Sequence, residues 1–269
     1  MKQLTAEQIQ KNWEQLRNLI SNTFEGERLD KLNKMYDHFE DRMCMAPASG
    51  KEQFHYAHIG GYVEHVLHVI DCALKVMNLW AAEGARINFT TEEVIFAAMH
   101  HDLGKVGDLD KDYYVPQESE WHRKNRGEIF THNGALQYMS VTDRAIFLLG
   151  HFQIPMSENE YIGLRLADGL YEEANKSYYM SYNPDWALKS NIAYVIHQAD
   201  MMATKIEYDE WKRSMEVEEE EHKQKYQKMV GVLKTDGNQK EKKEDKLQSK
   251  SKDLFKELFG DDVWYSKLY

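Results

Sequence analysis

Apolar residues recur at i, i+3, i+4 spacing along most of this chain, while alternating strand-like runs are scarce, and that periodicity restricts it to an all-α fold. The stripe Ile9, Trp13, Leu16, Ile20 and Phe24 follows a Thr5–Gln8 capping box and predicts a first helix over 6–24. A second stripe, from Leu29 and Leu32 through Met35, Tyr36 and Phe39 to Met43, predicts a helix that stops before the loop at Pro47, Ala48 and Ser49. After Gly60 and Gly61, a third runs through Val66, Val69, Ile70, Ala73, Val76, Met77 and Trp80. Thr90 and Glu93 form another capping box, opening the short apolar run VIFAAMHHDLG, which is expected to be buried on all sides. Further helices are expected in TDRAIFLLGHF from Thr142, in YIGLRLADGLYEEA after a Ser157–Glu160 box, and in a long segment from Pro184.

Of the 269 residues 42% are apolar, which is enough for one large or two small cores. Lys and Arg number 34 against 45 Asp and Glu, a net charge of −11, and this balance favours small ligands over a surface that coats long nucleic acid. Residues 215–269 carry 12 bases and 13 acids, leaving 22 against 32 for residues 1–214, so the expected folded part is the acidic part. Cys44 and Cys72 are the only cysteines, too few for a disulfide framework or a cysteine-built zinc module, and a reducing cytoplasm is the expected setting. No apolar run approaches the ~18 residues of a membrane span, and MKQLTAEQIQ lacks the apolar stretch of a signal peptide, so no membrane partner is expected.

The composition divides the chain into a helical extension over 1–45, a main domain over 46–214, a charged helix end with a disordered linker over 215–252, and a short aromatic segment over 253–269. In that last segment Leu254, Phe255, Leu258, Phe259 and Trp264 are spaced to dock as a helix on a protein partner or to pack back onto their own domain. A homo-oligomer is compatible with everything in the sequence.

Twelve histidines stand against the two cysteines, and several lie beside acids within apolar helices. His101-Asp102, in AAMHHDLGK, closes a helix expected to be buried, where an unpaired carboxylate is costly. A shared metal ion would resolve that cost; so would a hydrogen-bonded histidine with a helix-end aspartate. His65, in GGYVEHVLHV, and Asp200, in VIHQADMMA, add one candidate ligand each from separate helices. Nitrogen from His65 and His101 with oxygen from Asp102 and Asp200 makes a mixed set suited to a divalent first-row ion, with positions left for water and substrate.

Through GGYVEHVLHV, AAMHHDLGKVGD and VIHQADMMA, in that order, residues 45–210 resemble the HD-domain metal-dependent phosphohydrolases. The resemblance implies a helical HD bundle in which His65, His101, Asp102 and Asp200 ligate a divalent ion (Mn, Co, Ni, Fe, Zn or Mg) and Asp102 serves catalysis. The local likeness is strongest to HD proteins of large tailed phages, which would place the chain in a host cytoplasm, and to exoribonuclease-type HD domains. His132, in THNGALQYM, and His151, in LLGHFQ, fall where binuclear members place second-metal ligands or a phosphate contact; one ion is expected, and two if both histidines point inward. The chain also departs from several branches. Gly104, Lys105 and Val106 follow Leu103 where the (p)ppGpp-hydrolase and nucleotidase branches place an acid pair, no OB-fold precedes the domain, and no GYP motif is present.

Lys105, one turn after Asp102, is placed to neutralise a transferring phosphoryl oxygen, or else to rest on a helix dipole. In the insertion DLDKDYYVPQESEWHRKNRGEIF, Tyr113, Tyr114 and Trp121 are candidates to stack a base, and His122, Arg123, Lys124 and Arg126 to meet phosphates, unless the insertion is simply a solvated loop. His58 and His68 are assigned supporting or surface roles, and His38, His55 and His222 structural or solvated ones. The expected function is hydrolysis of a nucleotide or deoxynucleotide phosphoester or phosphoanhydride by metal-activated water. The alternatives are 3′ to 5′ exonuclease action on single strands and a non-catalytic HD module that recruits a partner through its tail.

Overall fold

The computed structural model describes residues 3–235, with side chains through Tyr226. Most of the expected linker and the whole aromatic segment over 253–269 lie outside the described residues. The described chain is all-α apart from one short hairpin. Helix α1 (Ala6–Thr23), α2 (Gly26–Met45) and α3 (Gly61–Ala82) are followed by α4 (Thr91–His100), a 3-10 turn (Leu103–Val106), strand β1 (Tyr114–Pro116), α5 (Glu120–Arg126) and strand β2 (Phe130–His132). Then come α6 (Val141–His151), α7 (Glu158–Arg165), α8 (Lys176–Tyr179) and α9 (Ile192–Thr235).

All three capping boxes form, at Thr5–Gln8, Thr90–Glu93 and Ser157–Glu160, each with reciprocal side-chain to backbone bonds. The stripes become the core. Trp13, Leu16 and Ile20 of α1 and Leu32, Met35, Phe39 and Met43 of α2 are buried in one apolar cluster with Val66, Val69 and Ala73 of α3. Every residue from Val94 to His100 is buried, so α4 is the central helix, packed against α3 on one side and α7 on another. Residues 1–214 form one compact unit, so α1 and α2 belong to the same body as the segment after residue 45. A second unit begins at Met215, of which the end of α9 is described. Among the described residues no helix is long and apolar enough to cross a membrane.

Two segments differ from the periodicity. The helix expected through YIGLRLADGLYEEA ends at Arg165, capped by Leu166; the chain turns over through Asp168, and Gly169 (φ +55°), in a left-handed conformation, opens a separate 3-10 turn. Likewise the long helix begins at Ile192 rather than near Pro184, which starts only a 3-10 turn (Pro184–Trp186). The insertion after the HD pair holds an antiparallel pair, Tyr114 opposite His132 and Pro116 opposite Phe130, that is too short to register as alternation.

Two glycines of the motifs owe their presence to close backbone approach. A Cβ at Gly61 would collide with the Tyr56 carbonyl oxygen where α3 starts against the preceding loop, and one at Gly104 would collide with the Val141 carbonyl oxygen where α6 crosses the 3-10 turn. These contacts fix the start of α3 and the end of α4, the two places that carry His65 and the HD pair.

Candidate metal centre

Four side chains from two helices, α3 and α9, and from the turn after α4 converge. His65 of α3 is fully buried, His101 and Asp102 follow α4 and are nearly so, and Asp200 of α9 is half-buried. His65 Nε2 lies 3.4 Å from Asp200 Oδ1 and 3.7 Å from Asp102 Oδ2; His101 Nε2 lies 3.4 Å from Asp102 Oδ2 and 3.7 Å from Asp200 Oδ1. Those separations exceed a good hydrogen bond, and both Nε2 atoms are buried with no hydrogen-bond partner. Nature rarely leaves two such nitrogens orphaned side by side.

The opposite ring nitrogens are engaged. His101 Nδ1 donates to the Ala98 carbonyl at 2.7 Å, and His65 Nδ1 donates to the Glu207 carboxylate at 3.0 Å. This arrangement places a proton on Nδ1 and turns Nε2 toward the cluster, the ring orientation that metal-ligating histidines adopt. Glu207 is fully buried and also accepts from His68 Nδ1 at 2.7 Å. Of the supporting and surface roles open to it from the sequence, His68 takes the supporting one, acting through Glu207.

The electrostatics favour a positive charge at this point. Burial would lower the His65 imidazole, but Glu207 and Asp200 outweigh it and raise it to about 10. Burial opposes ionisation of Asp102 as well, yet Lys105, His101 and His65 hold its carboxyl well below the usual range. Asp200 is brought down to about 2 against its burial by His65 and His101, and Glu207 to about 2 by His65 and His68. Three ionised carboxylates thus face two imidazoles within one enclosed space.

The residues present fit a divalent cation. Among the described residues, the groups that could hold an ion are His65 with His101 and Asp200, and His55 with His65 and Asp102, each with ligand atoms within 4.8 Å of one another. The chemistry of the donors, imidazole nitrogen and carboxylate oxygen, suits a first-row divalent ion.

His132 and His151 are in neither group. His132 is exposed at the end of β2, its ring edge-on to Tyr113, and His151 is exposed at the end of α6 beside Phe152. His55, read from the sequence as structural or solvated, instead lies in the loop before α3 with its ring 4.5 Å from that of His65. Glu207 escaped the sequence reading too, although its position seven residues after Asp200 puts it on the same helix face.

Lys105 makes contacts different from those its sequence position suggested. Its ammonium bonds Asp102 Oδ2 at 2.6 Å and the Ala48 carbonyl at 2.8 Å, and lies 3.4 Å from His55 Nε2. All three of its donors therefore have acceptors within the protein.

The insertion stands next to this site at its root. Tyr113 and Tyr114 are close enough to Lys105 and Asp102 to feel both charges, while burial raises their phenols. Farther along, Trp121 is 61% exposed on α5. The bases there are partly committed locally: Arg123 bonds the Gln117 carbonyl, Lys124 pairs with Glu120 at 2.9 Å and Arg126 lies 3.6 Å from Glu128. His122 is half-buried beside Trp121. On the other flank Thr142 donates to Asp168 at 3.2 Å.

Compared with protein-family models, with curated proteins and with solved structures, the chain matches none.

Proposed function

We propose that this chain is a metal-dependent phosphohydrolase of the HD type that cleaves a phosphoester or phosphoanhydride bond of a nucleotide or deoxynucleotide. The observation that carries the reading is the pair of buried, unpartnered Nε2 atoms of His65 and His101 facing the oxygens of Asp102 and Asp200. A divalent ion held by those four residues would acidify water and offset charge on a phosphoryl group.

The protein's own residues set the stage for that chemistry. Glu207 and the Ala98 carbonyl fix the two imidazole rings and their tautomers, so that little reorganisation is needed when a cation is bound. Asp102, ionised by Lys105 and the two histidines, keeps an oxygen at the centre of the cluster. Lys105 acts on the reaction through Asp102, because its ammonium is already taken up by protein acceptors. Tyr113 and Tyr114 at the hairpin root supply aromatic surface beside the site, which suits a nucleoside, and the acidic main unit suits a small substrate over a polymer.

The test is metal-supplemented hydrolysis, with Mn, Co, Ni and Mg in turn, across nucleoside mono-, di- and triphosphates, cyclic nucleotides and short single-stranded oligomers. Turnover of mononucleotides that disappears in Asp102→Ala is the expected result. Processive shortening of oligomers would put exonuclease action in its place, and no turnover with metal bound would leave a recruiting module.

A further inference from the structure

We infer that Lys105 fills a second cation site with its own ammonium, and that this site, formed by Asp102 Oδ2, the Ala48 carbonyl oxygen and His55 Nε2, accepts a divalent ion once the lysine is removed. The inference rests on the metal-binding reading above, since the two sites would share Asp102.

The set around Nζ is what a first-row ion would select: one carboxylate oxygen, one carbonyl oxygen and one imidazole nitrogen, at 2.6, 2.8 and 3.4 Å. An ammonium has hydrogens on every side and no lone pair, so His55 Nε2 must face it as an acceptor, with the ring neutral and its proton on Nδ1. That is also the state in which an imidazole binds a metal.

The acceptors are held in place independently of Lys105. Ala48 and His55 both belong to the loop between α2 and α3, in which Tyr56 adopts φ +38°, a conformation that costs a non-glycine residue energy and persists only where its surroundings impose it. The Tyr56 carbonyl accepts from the amides of Ala48 and His58, and the Gly50 carbonyl accepts from Ile129 and Phe130 of the hairpin. Removing the lysine side chain leaves these bonds intact, so the loop that carries Ala48 and His55 keeps its course beside the vacated volume.

Asp102 links the two positions. Its Oδ2 lies 2.6 Å from the ammonium and 3.4 and 3.7 Å from the Nε2 atoms of His101 and His65. A carboxylate between two cations is the arrangement of a two-metal centre, in which close metals share a bridging ligand. Here one of the two cations is covalently tethered, which holds the wild-type chain to one divalent ion and gives the second position a single positive charge. His132 and His151, exposed elsewhere, have no part in it.

The experiment is equilibrium dialysis of the full chain against Mn²⁺, with bound metal counted by elemental analysis and spin coupling between ions read by electron paramagnetic resonance. Wild type is expected to hold one ion per chain, with an uncoupled signal. Lys105→Ala is expected to hold two, with a coupled signal, and adding His55→Ala to it is expected to return the count to one. Lys105→Met, which keeps most of the apolar stem, gives the same two-ion expectation if the alanine variant does not fold. One ion in wild type and still one in both lysine variants overturns the inference while leaving the proposed function standing. Two ions in wild type overturn it as well. No ion in wild type overturns the reading on which both rest.

Discussion

Two charged clusters lie in this fold, each around a buried carboxylate, and they are built on opposite terms. At one, Arg28 of α2 reaches Glu160 of α7 at 2.6 Å and Glu92 of α4 at 2.9 Å, with its guanidinium carbon 4.4 Å from the Phe96 ring centre and 4.9 Å from that of Phe24. Glu160 also caps its own helix by accepting from the Ser157 amide. Each carboxylate there has a bonded donor, and the Arg28 Nε that lacks one belongs to a guanidinium lying over two aromatic faces. At the other, His65, His101, Asp102 and Asp200 stand at 3.4 to 3.7 Å with both imidazole Nε2 atoms unpartnered. The first cluster closes on itself; the second leaves two buried ring nitrogens facing carboxylate oxygens without a hydrogen bond, and on that our reading of a cation site rests. The difference lies in the unsatisfied atoms, since both clusters are charged and each contains a buried carboxylate, Glu160 in one and Asp102 in the other.

Substitutions can break this contrast. The largest effect is expected at Asp102→Ala, which removes the oxygen shared by the cluster and Lys105: bound metal and hydrolysis both fall to background, by dialysis and by turnover of the substrate found in the panel. Arg28→Ala strands the buried Glu160 carboxylate and is expected to cost about 3–5 kcal/mol, read as a lowered urea midpoint, with metal binding unchanged in the folded fraction. Loss of metal in that variant would erase the distinction between the clusters. Glu207→Gln keeps the shape but loses the charge that orients His65 and His68, and metal affinity is expected to drop by about 10–100-fold, measured by competition with a chelating indicator.

Acid separates the clusters by sign. The folded-state pKa of Glu207 is lowered from 4.5 to about 2, so its contribution is present above 4.5 and is lost as the pH falls through that interval. Glu160 is raised, because its burial outweighs Arg28, so its ionisation opposes folding and protonation relieves that cost. Metal-free wild type is therefore expected to lose stability, on the order of a few kcal/mol, between about pH 4.5 and 2, with a shallower loss in Glu207→Gln, followed by denaturant midpoints against pH. The smallest effect is expected at His151→Ala: exposed at the end of α6, it should shift stability by no more than about 0.5 kcal/mol and spare the bound ion.

Much of this was legible in the sequence because helices advertise themselves. The stripes of α1 to α4 and the three capping boxes are local signals, and they placed His65, His101 and Asp102 on elements that the structure brings together with Asp200, which was read from VIHQADMMA in the last helix. What stayed hidden depends on contacts between distant segments. The position of His55 and the Ala48 carbonyl is set by a loop with no periodicity, shaped by the Tyr56 backbone and by hydrogen bonds to the hairpin. The hairpin itself has three residues per strand, with Pro116 in one of them, too little for alternation to show. Glu207 sits in an acid-rich stretch of α9 that reads as a solvated face, and only its seven-residue spacing from Asp200 separates it from its exposed neighbours. Lys105 could be read as free to meet substrate because its acceptors, Ala48 and His55, are 57 and 50 residues away in sequence.

The central claim is that the histidine and aspartate cluster is a cation site rather than an internal polar network. Direct measurement is Mn²⁺ binding by equilibrium dialysis to three proteins side by side: wild type, Asp102→Ala and Arg28→Ala. Saturable binding of one ion to wild type, lost in Asp102→Ala and kept in folded Arg28→Ala, is the predicted result. Wild type that binds no ion, or Asp102→Ala that binds it at full stoichiometry, would contradict the account.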